Sequence, residues 1–111
     1  MASRRFLVQW AEVATRDLEE LVSRIAVDSA PDAERVLDRI EKRAATLEST
    51  PARGRAVSEL SSFGMRSRRE LVIRPYRLVY RIEGDTVTVL AIFDGRRDLE
   101  DVLFDRLVRV P

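Results

Sequence analysis

The run from Tyr76 to Phe93 leaves little freedom of fold. Tyr76-Arg77-Leu78-Val79-Tyr80-Arg81-Ile82-Glu83 is dense in aromatic and β-branched residues, the composition of a strand. Gly84-Asp85 puts a glycine first in a two-residue turn, the chemistry of a type II′ hairpin. Thr86-Val87-Thr88-Val89-Leu90-Ala91-Ile92-Phe93 then returns as the most apolar strand of the chain. A strand that apolar needs cover on both faces, which predicts a place at the centre of a sheet. Just upstream, Arg69-Glu70-Leu71-Val72-Ile73-Arg74 reads as a further short strand, ended by Pro75 because proline cannot donate to a ladder. The apolar strand delivers the chain to Asp94-Gly95-Arg96-Arg97-Asp98, with a glycine and two arginines at its end.

The rest of the chain reads as scaffolding for that sheet. Arg4-Arg5-Phe6-Leu7-Val8-Gln9-Trp10 alternates as a first strand, with Phe6, Val8 and Trp10 on one face. From Glu12 the period becomes helical: Ala14, Leu18, Leu21, Val22 and Ile25 form one apolar stripe. Glu12–Arg16, Arg16–Glu20 and Glu20–Arg24 stand at charge-pair spacing on the solvent side. Ser29-Ala30-Pro31-Asp32 breaks this helix and starts the next, with Ser29 as cap, Pro31 in the first turn and Asp32 near the positive helix end. A second stripe of Ala33, Val36, Leu37, Ile40, Ala44 and Leu47 predicts an α-hairpin, and Thr50-Pro51 ends it. Residues 52–67 read as a connecting loop, with a short turn around Leu60 and Phe63. After the sheet, Asp98 caps a last helix whose apolar face is Leu99, Val102, Leu103 and Leu107. The expectation is a single α+β domain over 1–111, in the order β-α-α-β-β-β-α. Helices cover one face of a small, mostly antiparallel sheet. The other face is expected to be wet and positively charged.

Composition narrows the function. There is no cysteine and no histidine, so thiolate chemistry, the commonest metal ligand and the commonest general base are all absent. No metal or cofactor is expected. No apolar run approaches the roughly 20 residues of a membrane span and the amino terminus lacks a signal-peptide core, so a cytoplasmic protein is expected. No P-loop, dinucleotide fingerprint or nucleophile elbow is present. What stands out is arginine: of the 20 basic residues only Lys42 is a lysine. Arg66, Arg68, Arg69, Arg74, Arg77, Arg81, Arg96 and Arg97 cluster around the strands. Alternation puts Arg77 and Arg81 on one face, where Arg96 and Arg97 can join them in a phosphate-binding patch, with Tyr76 and Tyr80 as stacking surfaces. Two plainer readings stand beside this one. The arginines can be a solvated face paired with Glu70, Glu83 and Asp94, and the tyrosines can be core-and-rim residues.

Pro75-Tyr76-Arg77-Leu78-Val79-Tyr80-Arg81-Ile82, Gly84-Asp85-Thr86-Val87 and Val89-Leu90-Ala91-Ile92 leading into Gly95-Arg96-Arg97-Asp98 closely resemble the RelE/ParE superfamily of bacterial toxins. Arg16-Asp17-Leu18-Glu19-Glu20-Leu21 and Thr50-Pro51-Ala52-Arg53-Gly54-Arg55 resemble that family's helical hairpin and its exit loop. The resemblance implies a type II toxin neutralised by a cognate antitoxin of the ParD or RelB kind. It implies one of two targets. RelE-like members cleave mRNA on the ribosome; ParE-like members poison DNA gyrase. For the RelE site, Arg77 and Arg97 fall on phosphate-holding positions and Arg68 stands for a lysine. Glu70 falls where a second basic residue is expected, and Leu103 where a catalytic tyrosine would be. A carboxylate repels an RNA backbone and leucine transfers no proton. A positioned acid or base is worth about 10²–10⁴ in rate, so little ribonuclease activity is expected. The hairpin and the Gly95-Arg96-Arg97-Asp98 ending resemble the ParE branch, so the expectation is a gyrase inhibitor that binds through Arg77, Tyr80, Arg81, Arg96 and Arg97. The alternatives are an mRNA endonuclease and a module that only binds its antitoxin. The antitoxin would land on the apolar hairpin residues Leu18, Leu21, Val22, Val36 and Ile40, as an extended segment that folds on binding.

Overall fold

The computed structural model describes residues 4–61 and 67–96. The elements are β1 (Leu7–Trp10), α1 (Glu12–Asp28), α2 (Ala30–Ala45), β2 (Arg55–Ala56), α3 (Ser58–Ser61), β3 (Arg68–Ile73), β4 (Tyr76–Glu83) and β5 (Thr86–Asp94). The sheet order is β1-β5-β4-β3-β2. Only the β1–β5 pairing is parallel; the other three are antiparallel. The expected α+β architecture is therefore present, with two additions. Residues 52–67, read as loop, contain β2 and the single-turn α3. The terminal helix expected from Asp98 lies outside the described residues, as do Phe63, Arg66 and Arg97.

The two helices form where their stripes and caps place them. Ser29 Oγ accepts from the Asp32 backbone N–H at 3.2 Å, and Pro31 sits in the first turn of α2. That cap is worth roughly 1 kcal/mol. The α2 stripe continues through a 3-10 turn at Thr46–Glu48, so Leu47 is still fully buried while the α-helix proper stops at Ala45. Of the three ion pairs anticipated on α1, Arg16 meets Glu12; Arg24 instead reaches the Glu20 carbonyl at 3.5 Å.

The hairpin packs on one sheet face. Ala14, Leu21, Ile40, Ala44 and Leu47 meet Leu71, Ile73, Leu78, Tyr80, Val87, Val89 and Ile92, with Phe6, Val8 and Trp10 of β1 at the side. Trp10 is thus a core anchor. Gly84 has φ +56° and no other described residue but glycine has positive φ, so Asp85 does not share the left-handed region. That combination fits the II′ turn and excludes I′, in which both residues are left-handed. One extra residue on β5, Leu90, bulges opposite the Val79–Tyr80 step and increases the local twist.

The far face is where the sequence reading fails. It is not a wet cationic plane. Val57 and Leu60, at 0% and 1% exposure, pack on Val79, Leu90, Ala91 and Phe93 as a second small core. Two arginines of α2 serve the sheet's other margin. Beyond its pairing with Arg55 and Ala56, the outer edge of β3 has no strand partner among the described residues, and carbonyls on it are capped by side chains. Arg39 Nη2 donates to Arg74 O at 2.7 Å and Arg43 Nη2 to Val72 O at 3.4 Å. Part of the arginine excess therefore blocks an open sheet edge, a place where unpaired backbone invites aggregation.

Candidate functional site

Strand register puts Arg77, Val72 and Phe93 side by side on the far face, with Glu70 one step along. Arg77 is buried, and both forks of its guanidinium are occupied. Nε donates to Glu70 Oε2 at 2.6 Å, Nη1 to Glu59 Oε2 at 2.9 Å and Nη2 to Glu59 Oε1 at 3.1 Å. The other oxygen of the buried Glu70 accepts from Arg55 Nε at 2.7 Å. The result is an Arg55–Glu70–Arg77–Glu59 chain running from β2 across the sheet to α3. The Phe93 ring lies 5.8 Å beneath the Arg77 guanidinium, a cation–π contact. Gly95 closes the arrangement from the side. A Cβ there would lie 3.0 Å from Pro75 O and 3.1 Å from Arg77 Cγ and Cδ.

The carboxylate pairing of the plainer reading is present, but the face is covered and not solvated, with Arg77 and Glu70 both buried. Glu70 holds Arg77, Glu83 stands 2.6 Å from Arg81 Nε, and Asp94 holds Arg96 through Nε at 2.9 Å. Tyr80 is not a stacking surface. It is fully buried, its hydroxyl donates to Pro51 O at 2.6 Å and it accepts from Gly54 N–H at 2.9 Å. Burial pushes that hydroxyl up from its ordinary value, so it remains a donor across the working range. Arg69 adds a bond to Gly54 O at 2.7 Å from the same side. Tyr80 and Arg69 therefore pin the loop that presents Arg55. Leu21 and Ile40 lie inside the core, whereas Leu18, Val22 and Val36 are half-buried at its margin.

The electrostatics of Glu59 follow from this geometry. Burial alone raises its carboxyl, but its own backbone N–H and the Arg77 fork more than offset that, so it sits below the ordinary 4.5. A depressed folded value means the stabilisation is present above 4.5 and fades as pH falls through the folded value. Urea midpoints measured from about pH 6 to about pH 3 should fall with acid, and Glu59→Gln should fall less steeply over the same range. An identical slope in the two proteins would show that the Glu59–Arg77 contact does not form. A carboxylate so depressed is also a weak proton acceptor at neutral pH.

Several open depressions lie among the described residues. A basic one of about 370 Å³ is lined by Arg55, Val72, Arg74, Pro75, Arg77, Gly95 and Arg96. A cleft of about 300 Å³ between α1 and the sheet end carries Asp17, Glu20, Arg24, Tyr76, Asp94 and Arg96 among its lining. A wider groove of about 710 Å³ runs beside β1, with Phe6, Val8, Trp10, Leu18 and Ala44 along its walls. Among the described residues no group of His, Cys, Asp and Glu could hold a metal ion, and no helix is long and apolar enough to cross a membrane.

A family model described as the ParE toxin of the type II toxin–antitoxin system parDE matches residues 8–99, from β1 to just past β5. The chain belongs to the ParE toxin family. Solved structures share its fold. The chromosomal ParDE toxin–antitoxin system from P. aeruginosa aligns with a TM-score of 0.68 at 20% identity, covering 83% of this chain and 98% of that one. The toxin–antitoxin complex RelBE2 from Mycobacterium tuberculosis aligns at 0.61 and 23% identity, covering 81% and 91%. A double arginine-to-alanine mutant of E. coli toxin RelE in the free state aligns at 0.63 and 17% identity, covering 96% and 99%. A search of curated proteins returns no match. Within the ParE fold, then, the strand arginine at position 77 is spent on internal carboxylates. Sequence reasoning missed Glu59 and Arg55 because both lie in the segment it took for loop. The one available signal was Val57 and Leu60, three residues apart and flanking Glu59, the spacing of one buried helical face.

Proposed function

We propose that this ParE-family toxin arrests growth by poisoning DNA gyrase, with a cognate antitoxin as its neutralising partner, and that it does not cleave mRNA. The observation that carries the choice is the doubly carboxylate-paired guanidinium of Arg77. A ribonuclease of the RelE kind needs that group to hold an RNA phosphate, and here Glu70 and Glu59 take both its donor forks. Displacing them would leave the buried Glu70 without its main counter-ion, which is expensive. Glu70 also stands where a RelE-like site wants a positive charge. The antitoxin's landing site, on this reading, is the apolar groove beside β1, entered by Phe6, Val8, Trp10 and Leu18. A folding-on-binding segment there would bury aromatic surface that is otherwise half exposed.

The test uses the purified full chain in two assays. Gyrase supercoiling should be inhibited with accumulation of cleaved DNA, and a translating extract should show no codon-positioned mRNA cuts. Codon-positioned cuts with unimpaired gyrase would overturn the proposal. Neither activity, with tight antitoxin binding retained, would leave a module that only binds its antitoxin.

A further inference from the structure

Charge is sorted by sign on α2. Arg35, Arg39 and Arg43 recur every four residues down one side, and Glu34, Asp38 and Glu41 follow a stripe of their own beside it. Glu41 lines the groove beside β1. The arginine stripe instead reaches the β3 margin, where Arg39 and Arg43 donate to the carbonyls of Arg74 and Val72. That margin continues toward the start of β3. Arg69 Nη1 donates to Gly54 O at 2.7 Å and to Ala52 O at 3.5 Å, and the exposed Arg53 stands in the loop between those two carbonyls. From Arg69 to the exposed Arg74 is about 16 Å of chain, at roughly 3.3 Å per residue. Along that length Arg39, Arg43, Arg53, Arg69 and Arg74 make no ion pair among the described residues. The neighbouring carboxylates are engaged with other cations: Asp32 with Arg35, Asp38 with Lys42, and Glu70 with Arg55 and Arg77. Bonds from Arg39, Arg43 and Arg69 go to backbone carbonyls, which satisfy a donor without cancelling its charge.

We propose that this five-arginine margin is a docking surface for the phosphate backbone of double-stranded DNA, bound without regard to sequence. The spacing fits. Four residues of α-helix advance about 6 Å, and a DNA strand carries one phosphate per roughly 3.4 Å of axis, so Arg39 and Arg43 step about two phosphates apart. Guanidinium forks suit phosphate oxygens, and a row of uncancelled cations suits a polyanion better than a single small anion. A single strand fits less well. The described aromatic rings all belong to the two cores, so unpaired bases would find nothing on the margin to stack on. An extended acidic peptide fits less well too, because a strand added to β3 would need the carbonyls that Arg39 and Arg43 already hold. The five arginines are distinct from Arg68, Arg77 and Arg97, the positions that match the RelE phosphate contacts. The inference does not depend on whether gyrase is the target.

Fluorescence anisotropy of a labelled DNA duplex titrated with the full chain tests it. Binding is expected to weaken with salt at a log–log slope of about −4, a loss of roughly two orders of magnitude between about 50 and 200 mM. Arg39→Gln and Arg74→Gln should each reduce that slope by about one unit, and Arg74→Lys should keep it. Arg74 makes no side-chain bond among the described residues, so its variants read the surface without disturbing the fold. Far-ultraviolet circular dichroism checks that Arg39→Gln also folds. Arg24→Gln removes an exposed cation from α1, away from the margin, and should leave the slope unchanged. Two duplexes of unrelated sequence should bind alike, and polyglutamate of matched charge should compete poorly. Absence of binding by the wild-type chain, a slope unchanged in Arg74→Gln, or a slope reduced equally by Arg24→Gln each overturns the proposal. So does tighter binding of polyglutamate or of duplex RNA than of the DNA.

Discussion

Arg77→Ala is expected to lose about 3–5 kcal/mol of folding stability, the cost of leaving a buried carboxylate without its partner. Glu70 is the reason. Its side chain is 1% exposed and it keeps only Arg55, itself mostly in solvent, once Arg77 is gone. Glu59 loses a two-bonded partner at the same time, and α3 loses one of its ties to the sheet. For a chain of this size the loss corresponds to a melting temperature lower by roughly 10 °C or more. Arg77→Met with Glu70→Met removes both charges and fills similar volume, so the double variant should be more stable than Arg77→Ala alone. Chemical denaturation of the three proteins checks the pattern. A single-variant loss under about 1 kcal/mol would mean the ion-pair chain is not formed. The result also bears on function. Loss of toxicity in Arg77→Ala has to be compared with its stability before any target contact is inferred.

Gly54→Ala should be costly for a different reason. Gly54 has an ordinary extended backbone, φ −74° and ψ 161°, so conformational freedom is not what the position needs. Space is. A Cβ would lie 2.5 Å from Glu70 O and 2.5 Å from Tyr80 Oη, and a strand carbonyl cannot swing aside. The loop must retreat, stretching the Gly54 N–H bond to Tyr80 and the Arg69 bond to Gly54 O together. Overpacking of about 1–3 kcal/mol plus roughly 1 kcal/mol of lost hydrogen bonding gives an expected destabilisation of about 2–4 kcal/mol. A double-mutant cycle with Tyr80→Phe separates the two obstacles. Removing the hydroxyl relieves one clash and leaves the Glu70 carbonyl, so the pair should cost less than the sum of the singles without reaching the cost of Tyr80→Phe alone. Strict additivity would show that the glycine and the tyrosine do not touch.

The features that the sequence made legible are local ones. Strand runs at 69–74 and 76–83, the Gly84-Asp85 turn, the Ser29 cap and the two apolar stripes all state their structure within a few residues. Their signals are period, turn chemistry and capping, none of which needs a distant partner. The ordered motifs across the chain carried the family for the same reason. β2 and α3 escaped because two residues of strand and four of helix leave no more than a single spacing, Val57 to Leu60, to read.

The far face was settled only by tertiary structure. Alternation correctly placed Arg77 and Arg81 together on it, but alternation says nothing of what folds over the sheet from elsewhere. Glu59 reaches Arg77 from 18 residues away and turns an exposed cation into a buried, neutral junction. Arg68 and Arg81, on the same face, meet because β3 and β4 pair in one register and not its neighbour. A charge is written in the sequence; whether it is cancelled, stranded or offered to a ligand depends on which side chains come within about 3 Å, and that distance is set by long-range packing.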